Sequence, residues 1–496
     1  MTSNLAVYPI LIPLVAAIIQ LFFAKNTYVQ RALGVISSAF VLVVVIYLYQ
    51  LVRTEGIQVY EMGNWYAPFG IVIVADLLAC FMLFLSGLAS LAMSAYSLAD
   101  IDKDREKFFH FPLFQFLLMG INGAFLTGDI FNLFVMYEVM LMASYVLLSH
   151  GSEARQLRGS LHYVMINLFG STFFLFGVGL LYGITGTLNM ADIAVAVQTA
   201  DPETQSMLTA ISMMFFVVFG VKTALVPLFF WMPDAYPQPP VATAAMFAAI
   251  MTKVGVYSIT RTFTLMFPGD EFTLTVIKVV AVSSMLIGVL GAIAQTNFRR
   301  LLAFHSVSQV GFMVLGVGFF TPMGLAGSIY FVMHHSMIKS SLFLCSGIAE
   351  RLTGKRDIKK MGGIIEGHPF YSALFLIAAF SLAGLPPFSG FFAKLILLFA
   401  GAELQEYIYI AAILVGGFLT LFSMVKIWQL AYWGKREPKL NTVNVGSFVW
   451  GIIILVGMSI VLAIMVQPVY DMVHEAAEQL LDPSQYIEAV LGKGSQ

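Results

Sequence analysis

Charge is scarce in this chain. Asp, Glu, Lys and Arg make up 11% of its 496 residues, where a soluble globular domain carries about a quarter. That shortage excludes a soluble enzyme, a nucleic-acid binder and a disordered scaffold. Neither sign is in surplus: 26 Lys+Arg stand against 27 Asp+Glu, a net charge of −1. Nothing here draws in a polyanion or gathers cations in bulk. Cysteine is nearly absent. Cys80 and Cys345 both fall in apolar runs and form no CxxC pattern, so a disulfide framework, haem attachment and a cysteine-held cluster are not expected. Long polar stretches are missing as well. The largest, near 185–206 and 350–369, are too short for a soluble domain. No basic residue precedes the first apolar run, which therefore does not read as a cleaved leader.

What is present is apolar: 59% of the residues are hydrophobic. Crossing a bilayer takes about 20 mostly apolar residues in a helix. Fourteen such runs are counted, near 5–24, 32–52, 71–97, 109–127, 130–149, 162–184, 207–236, 240–263, 273–295, 301–320, 324–349, 370–400, 405–432 and 447–467. A single run could be a buried core helix, but a series this long reads as an all-α polytopic membrane protein. Loops after odd-numbered runs hold Lys25, Arg31, Lys103, Arg105, Lys107, Arg155, Arg158, Arg299, Arg300, Arg351, Lys355, Arg356, Lys359, Lys360, Lys435, Arg436 and Lys439. The opposite side holds only Arg53, Arg261, Lys278 and Lys493. The positive-inside rule then puts the odd loops in the cytoplasm and both termini outside.

Five lysines fall inside apolar runs: Lys222, Lys253, Lys339, Lys394 and Lys426. Lys426 is near a run's end and can snorkel as an anchor. The others lie deep, where a charge costs about 2.5–3.5 kcal/mol on insertion scales. One acid, Glu138, sits equally deep, in GDIFNLFVMYEVMLMASYVLL, while Asp76 and Asp129 stand at run starts. Burial disfavours the charged form of each group and an opposite charge restores it, so a deep Glu–Lys set can trade protons. The bland reading is a structural ion pair; the sharper one is a proton path through Glu138, Lys222, Lys253 and Lys394. His334, His335 and His305 add hopping sites, with Lys339 one helical turn after His335. A lone histidine on an apolar face is usually core. No HExxH is present and no carboxylate is near the histidines in sequence, so no metal is expected.

Two runs are interrupted, one by Pro227 and Pro233, the other by Gly384, Pro386, Pro387 and Gly390. Such breaks survive in membranes where they line a polar path. Each carries a deep lysine, and they are five runs apart, which reverses direction across the membrane. Runs 4–8 and 9–13 thus read as a five-plus-five inverted repeat. The chain is one transmembrane domain: peripheral runs over 1–108, repeats over 109–263 and 273–432, and a last run with its tail over 433–496. The tail stretch YDMVHEAAEQLL is mildly amphipathic and could lie on the outer surface or meet a partner.

The stretches GDIFNLFVMYEVMLMASYVLL, GTLNMADI, VPLFFWMPDAYPQPP, TKVGVYSITRTFTL and SLAGLPPFSGFFAKLILL resemble the antiporter-like subunit family shared by complex I and the Mrp multisubunit Na+/H+ antiporters. The likeness covers roughly 5–470 and is strongest to the Mrp branch. It implies fourteen helices with broken helices 7 and 12, a Glu138–Lys222 pair, a link through Lys253 and a path ending at Lys394. It also implies a prokaryotic cell membrane, other subunits as partners, Na+ and protons as cargo, and no redox cofactor. Phe229 and Gln309 stand where complex I relatives often carry histidine, which favours the Mrp branch. The alternative is a redox-driven proton-pumping subunit of a complex I-type or membrane hydrogenase assembly. A scaffold with a fossil charged axis, and a self-sufficient solute carrier, are the remaining readings; no substrate-sized polar cluster favours the last.

Overall fold

The computed structural model describes residues 4–151, 154–435 and 440–492. Arg436, Lys439 and Lys493, which entered the charge count, lie outside the described residues. Among the described residues ten helices are long and apolar enough to cross a membrane, or eleven if the bent pair Val449–Ile464 and Val466–Leu481 is one span. Shorter apolar helices occupy His110–Leu126 and Pro369–Ala383. The chain is an all-helical polytopic membrane protein with a small exception. Within the apolar run at 71–97, Val72–Ala75 is a strand paired antiparallel with Gln58–Glu61. An apolar stretch such as VIVA has no periodicity to separate strand from helix. The helix starts after Asp76, whose carboxylate accepts from the Ala79 backbone N–H at 2.9 Å.

Burial sorts the helices into two shells. The apolar windows of Leu77–Asp100, Val241–Met266 and Phe298–Phe319 are 89%, 100% and 94% buried, against 39% for Asn4–Phe22, Thr27–Glu55 and Glu271–Ala294. Pro322–Thr353 joins the inner group, with every residue from Gly324 to Ala349 buried. Outer helices turn large apolar groups such as Phe169, Phe173, Phe176 and Phe418 outward. Hydrocarbon, not water, suits that surface.

Two helices are interrupted. Pro202–Thr223 stops at Ala224, in the left-handed region at φ +61°, and a short helix resumes at Trp231–Ala235. Pro227 lies in the gap and Pro233 inside the short helix. Pro369–Ala383 stops at Gly384, φ +86°, and Ser389–Glu403 continues it after Pro386 and Pro387. The inner helix Val241–Met266 contains two π-helical stretches, Phe247–Met251 and Thr262–Met266. The tail helix Val466–Leu481 turns 87° from its predecessor. It packs on this chain: Val473, Ala476, Ala477 and Leu480 are buried, and Gln479 accepts from the Leu77 backbone N–H at 3.0 Å.

Several of the basic residues counted for orientation prove to be held in ion pairs, and those of Arg261, Arg299 and Lys278 are largely buried. Arg261 meets Asp76 at 2.5 Å, Arg299 meets Glu350 at 2.5 Å, and Lys278 is paired with Glu406. The first pair is almost wholly buried, and Arg261 is also stacked between the rings of Tyr257 and Tyr486 at 5.4 and 5.1 Å. Counting loop charges along the chain cannot see partners that lie far away in sequence.

Candidate functional site

The interior places the deep charges in three groups. In the first, Glu138 on Ile130–Ser149 and Lys222 at the end of Pro202–Thr223 are bridged by Ser171. Lys222 Nζ donates to Ser171 Oγ at 3.3 Å and reaches the Asn167 carbonyl at 3.5 Å. The Ser171 hydroxyl in turn donates to Glu138 Oε1. The ammonium also sits 5.5 Å over the Tyr137 ring, a favourable cation–π placement. The break just beyond Lys222 frees backbone groups that find partners: Trp231 Nε1 donates to the Val221 carbonyl at 3.0 Å, and the Val226 N–H to Ser284 Oγ at 2.9 Å. At the helix start, exposed Asp201 accepts from the Thr204 N–H at 2.8 Å. That hydrogen bond, with the Thr204 hydroxyl, holds the Asp201 carboxyl below the usual aspartate range.

The second group is central and fully buried. Lys253 Nζ donates to the Ala248 carbonyl, which belongs to the π-helical stretch Phe247–Met251; π-bulges often mark functional positions. His335 lies within electrostatic reach of Lys253, Lys339, His334 and His305. Lys339 Nζ and both His335 ring nitrogens are buried with no hydrogen-bond partner among the described residues. His305 Nε2 bonds Ser423 Oγ at 2.9 Å and lies within reach of both Lys339 and Lys394. No direct hydrogen bond joins Lys222 to Lys253 among the described residues, although their helices touch where Gly255 meets Thr223.

The third group surrounds the second break. Lys394 Nζ donates to the carbonyls of Ala383 at 2.6 Å and Leu382 at 3.2 Å. These are the last carbonyls of a helix that stops, so they lack helical donors. The ammonium also faces the Phe312 ring at 5.4 Å. Gly384 has a positive φ, and a Cβ there would come within 2.8 Å of Lys394 Cδ. His334 Nδ1 bonds Ser389 Oγ at 2.8 Å, and Ser389 also contacts Ser459 at 2.7 Å and Ser381 at 3.2 Å. The break is therefore tied to the histidine pair. A 220 Å³ cavity opens beside Lys394, between Gly384 and Gly417. Gln309 donates weakly to Thr420 at 3.4 Å, and Phe229 is buried among aromatic rings.

Every buried group in this line is one that gains or loses a single proton, and Lys222, Lys253 and Lys394 are each held by backbone carbonyls, a hydroxyl or a ring. Residues 127–420 match the family described as "NADH:quinone oxidoreductase/Mrp antiporter, TM". The chain belongs to that family. Members similar over nearly the full length of both chains include the D-type Na+/H+ antiporter subunits of Alkalihalophilus pseudofirmus, 46% identical, and of Bacillus subtilis, 39% identical, each over 99% of both chains. A chain in the structure of the Mrp complex from Dietzia sp. superposes with a TM-score of 0.91 at 30% identity, covering 99% of this chain and 100% of that one. A chain of an archaeal membrane-bound sulfane sulfur reductase shares the fold, with a TM-score of 0.89 at 24% identity over 99% of this chain and all of that one.

Within this family member, several residues of the site carried no sequence signal. Ser171, Ser389, Ser423 and the Asn167 carbonyl bridge or hold the charges. A serine in an apolar run stands out only when its register against a facing helix is known. Lys426 is part-buried and donates to the Ile293 and Gln295 carbonyls, both at 2.8 Å, closing the end of Glu271–Ala294.

Proposed function

We propose that this chain is the proton-translocating subunit of a multisubunit Na+/H+ antiporter, a secondary transporter and not an enzyme. Protons move along Glu138, Lys222, Lys253, Lys339, His335, His334, His305 and Lys394 in exchange for Na+ efflux. The observation that carries this reading is the Glu138–Ser171–Lys222 bridge at one end of a line of buried lysines and histidines. Protonating Glu138 cancels the charge presented to Lys222, which then gains by passing its own proton on. Naming of the relatives as antiporter subunits supports the same reading. With few deep acids, this chain shares Na+ handling with partner subunits, which the Mrp complex likeness also favours.

The proposed architecture is fourteen crossings in one domain, in a prokaryotic cell membrane, with both termini outside. Taking His110–Leu126, Pro322–Thr353, Val449–Ile464 and the interrupted 369–403 segment as crossings beside the long apolar helices supports that count. The inverted repeat is supported by a duplicated backbone pattern. Ile130 N donates to Leu188 O and Met190 N to Gly128 O, at 2.9 Å each. At one constant offset along the chain, Phe298 N donates to Arg356 O at 3.0 Å and Ile358 N to Thr296 O at 2.9 Å. The breaks at Pro227 and at Gly384–Pro387 sit late in each repeat.

The test is Na+-triggered collapse of a proton gradient in everted vesicles from an antiporter-deficient host. The chain is expressed with its operon neighbours, alone, and in the full set carrying Lys222→Ala. Activity confined to the intact full set is the expected result. An assembled complex with no Na+ response would overturn antiport and favour a redox-driven pump.

A further inference from the structure

We propose that a cavity beside the Arg299–Glu350 pair is the cytoplasmic mouth of the proton route, with Glu350 exchanging protons there and Arg299 positioning it. This rests on the proton-transport reading above and on the orientation given with it. The cavity, of about 350 Å³, lies where Leu77–Asp100 and Pro322–Thr353 end and Val241–Met266 begins. Its two carboxylates are Asp100 and Glu350. Asp100 is already engaged: it takes Arg351 at 2.8 Å and the Ala242 N–H at 3.2 Å. Glu350 is engaged on one oxygen only. Oε2 meets Arg299 at 2.5 Å and Arg356 at 3.8 Å, while Oε1 is buried and has no partner among the described residues.

Arg299 is buried at 5% exposure and does more than neutralise. Its Nη1 donates to the carbonyls of Pro239 at 3.0 Å and Pro237 at 3.4 Å. It therefore ties the loop before Val241–Met266, the Lys253 helix, to the end of the helix that carries His335 and Lys339. Inward from the cavity wall at Val241 and Gly347, the same two helices present unpartnered buried polar atoms: Thr243 Oγ1, Ser336 Oγ, Lys339 Nζ and Thr252 Oγ1. Such atoms are ready hydrogen-bond partners for water. From Gly347 to Lys339 is about 12 Å along the helix axis.

The charge at the mouth selects what passes. Arg105, Arg299, Arg351, Lys355 and Arg356 line the cavity together with the two acids, and Asp102 pairs with Arg105, which leaves the basic residues in surplus. That surplus repels a hydrated Na+ and drives an arriving proton onward to bulk water. A proton passes by transfer between carboxylate and water, which a sodium ion cannot do. This mouth thus serves protons and leaves Na+ to another route.

Everted vesicles turn the cytoplasmic face to the medium, so medium pH then acts on this mouth. With the whole complex expressed, Glu350→Gln is expected to lower Na+-dependent proton flux at least tenfold. It should also flatten the dependence of the residual flux on medium pH in everted but not right-side-out vesicles, and Glu350→Asp should restore most of both. Gln238→Cys, at a half-buried position that lines the cavity, should react with a membrane-impermeant maleimide in everted vesicles only, above the parent chain, whose Cys80 and Cys345 are buried. An assembled Glu350→Gln complex with the parental rate and pH profile overturns the proposal. So does a Gln238→Cys chain unlabelled from the cytoplasmic side, a result that decides even if Glu350→Gln fails to assemble. A parent complex with no Na+-dependent flux would instead sink the antiport reading, and the labelling would still report on the mouth.

Discussion

Ser171→Ala is the most direct probe of the first charge group. The substitution removes one oxygen and keeps the Cβ, so packing is barely altered at a position only 5% exposed. Lys222 loses its 3.3 Å contact and keeps the Asn167 carbonyl at 3.5 Å and the Tyr137 ring at 5.5 Å. Glu138 loses the hydroxyl that donates to it. Hydrogen bonds to charged groups contribute about 1.5–3 kcal/mol each. Taking one such bond, about 2 kcal/mol, as lost from the step that couples Glu138 to Lys222 gives about a 30-fold fall in rate. The assay is Na+-dependent proton flux in everted vesicles, normalised to assembled complex on native gels. Ser171→Thr keeps the hydroxyl and should stay within about threefold of the parent, since well under 1 kcal/mol is then at stake. Parental flux from assembled Ser171→Ala complex would refute the bridge and require Glu138 and Lys222 to communicate without it.

Four other outcomes follow from the geometry. Gly390→Ala drives a Cβ into the Ser381 carbonyl oxygen and to 2.9 Å from the His334 ring; the cost should exceed the about 1–3 kcal/mol typical of overpacking, read as a lower Tm or lost assembly. Gly384→Ala strains the backbone at φ +86° but meets the flexible Lys394 chain first, so complex should persist at lower stability while flux drops. Lys426→Met should cost only about 1 kcal/mol, the contacts being part-exposed, with flux retained; lost flux in stable complex would place Lys426 on the proton path. Arg261→Met leaves Asp76 buried and unpaired, costing about 3–5 kcal/mol, and the Arg261→Met/Asp76→Leu double variant should recover much of the stability seen in thermal unfolding. Failure of the double variant to recover would mean that the pair does more than balance charge.

The lysines were legible because a charge in an apolar run has no cheap explanation. The structure adds how each is held, and sequence is silent there. Ser171 and Ser389 look like any small residue of a membrane helix, and the backbone carbonyls of Asn167, Ala248, Leu382 and Ala383 have no sequence identity at all. Arg299 and Glu350 lie at helix ends, where charges are ordinary, so their pairing was hidden among loop counts. The breaks were legible through proline and glycine, which act locally. Val72–Ala75 was not, because its strand partner Gln58–Glu61 sits beyond a turn that hydropathy does not resolve. The amphipathic tail was legible as amphipathic, but the surface it covers depends on the 87° bend.

Lys394 takes its closest partners from main chain at Leu382 and Ala383. Any amino acid supplies a carbonyl, so those two positions can drift in side-chain identity and still present the same cradle to the ammonium. The burden of inheritance falls instead on the residues that shape the backbone there. Gly384 must adopt φ +86°, and Gly390 must leave room for Ser381. Sequence variation around this lysine should therefore be lopsided: permissive where the cation is held, and unforgiving a few residues away where nothing touches the proton.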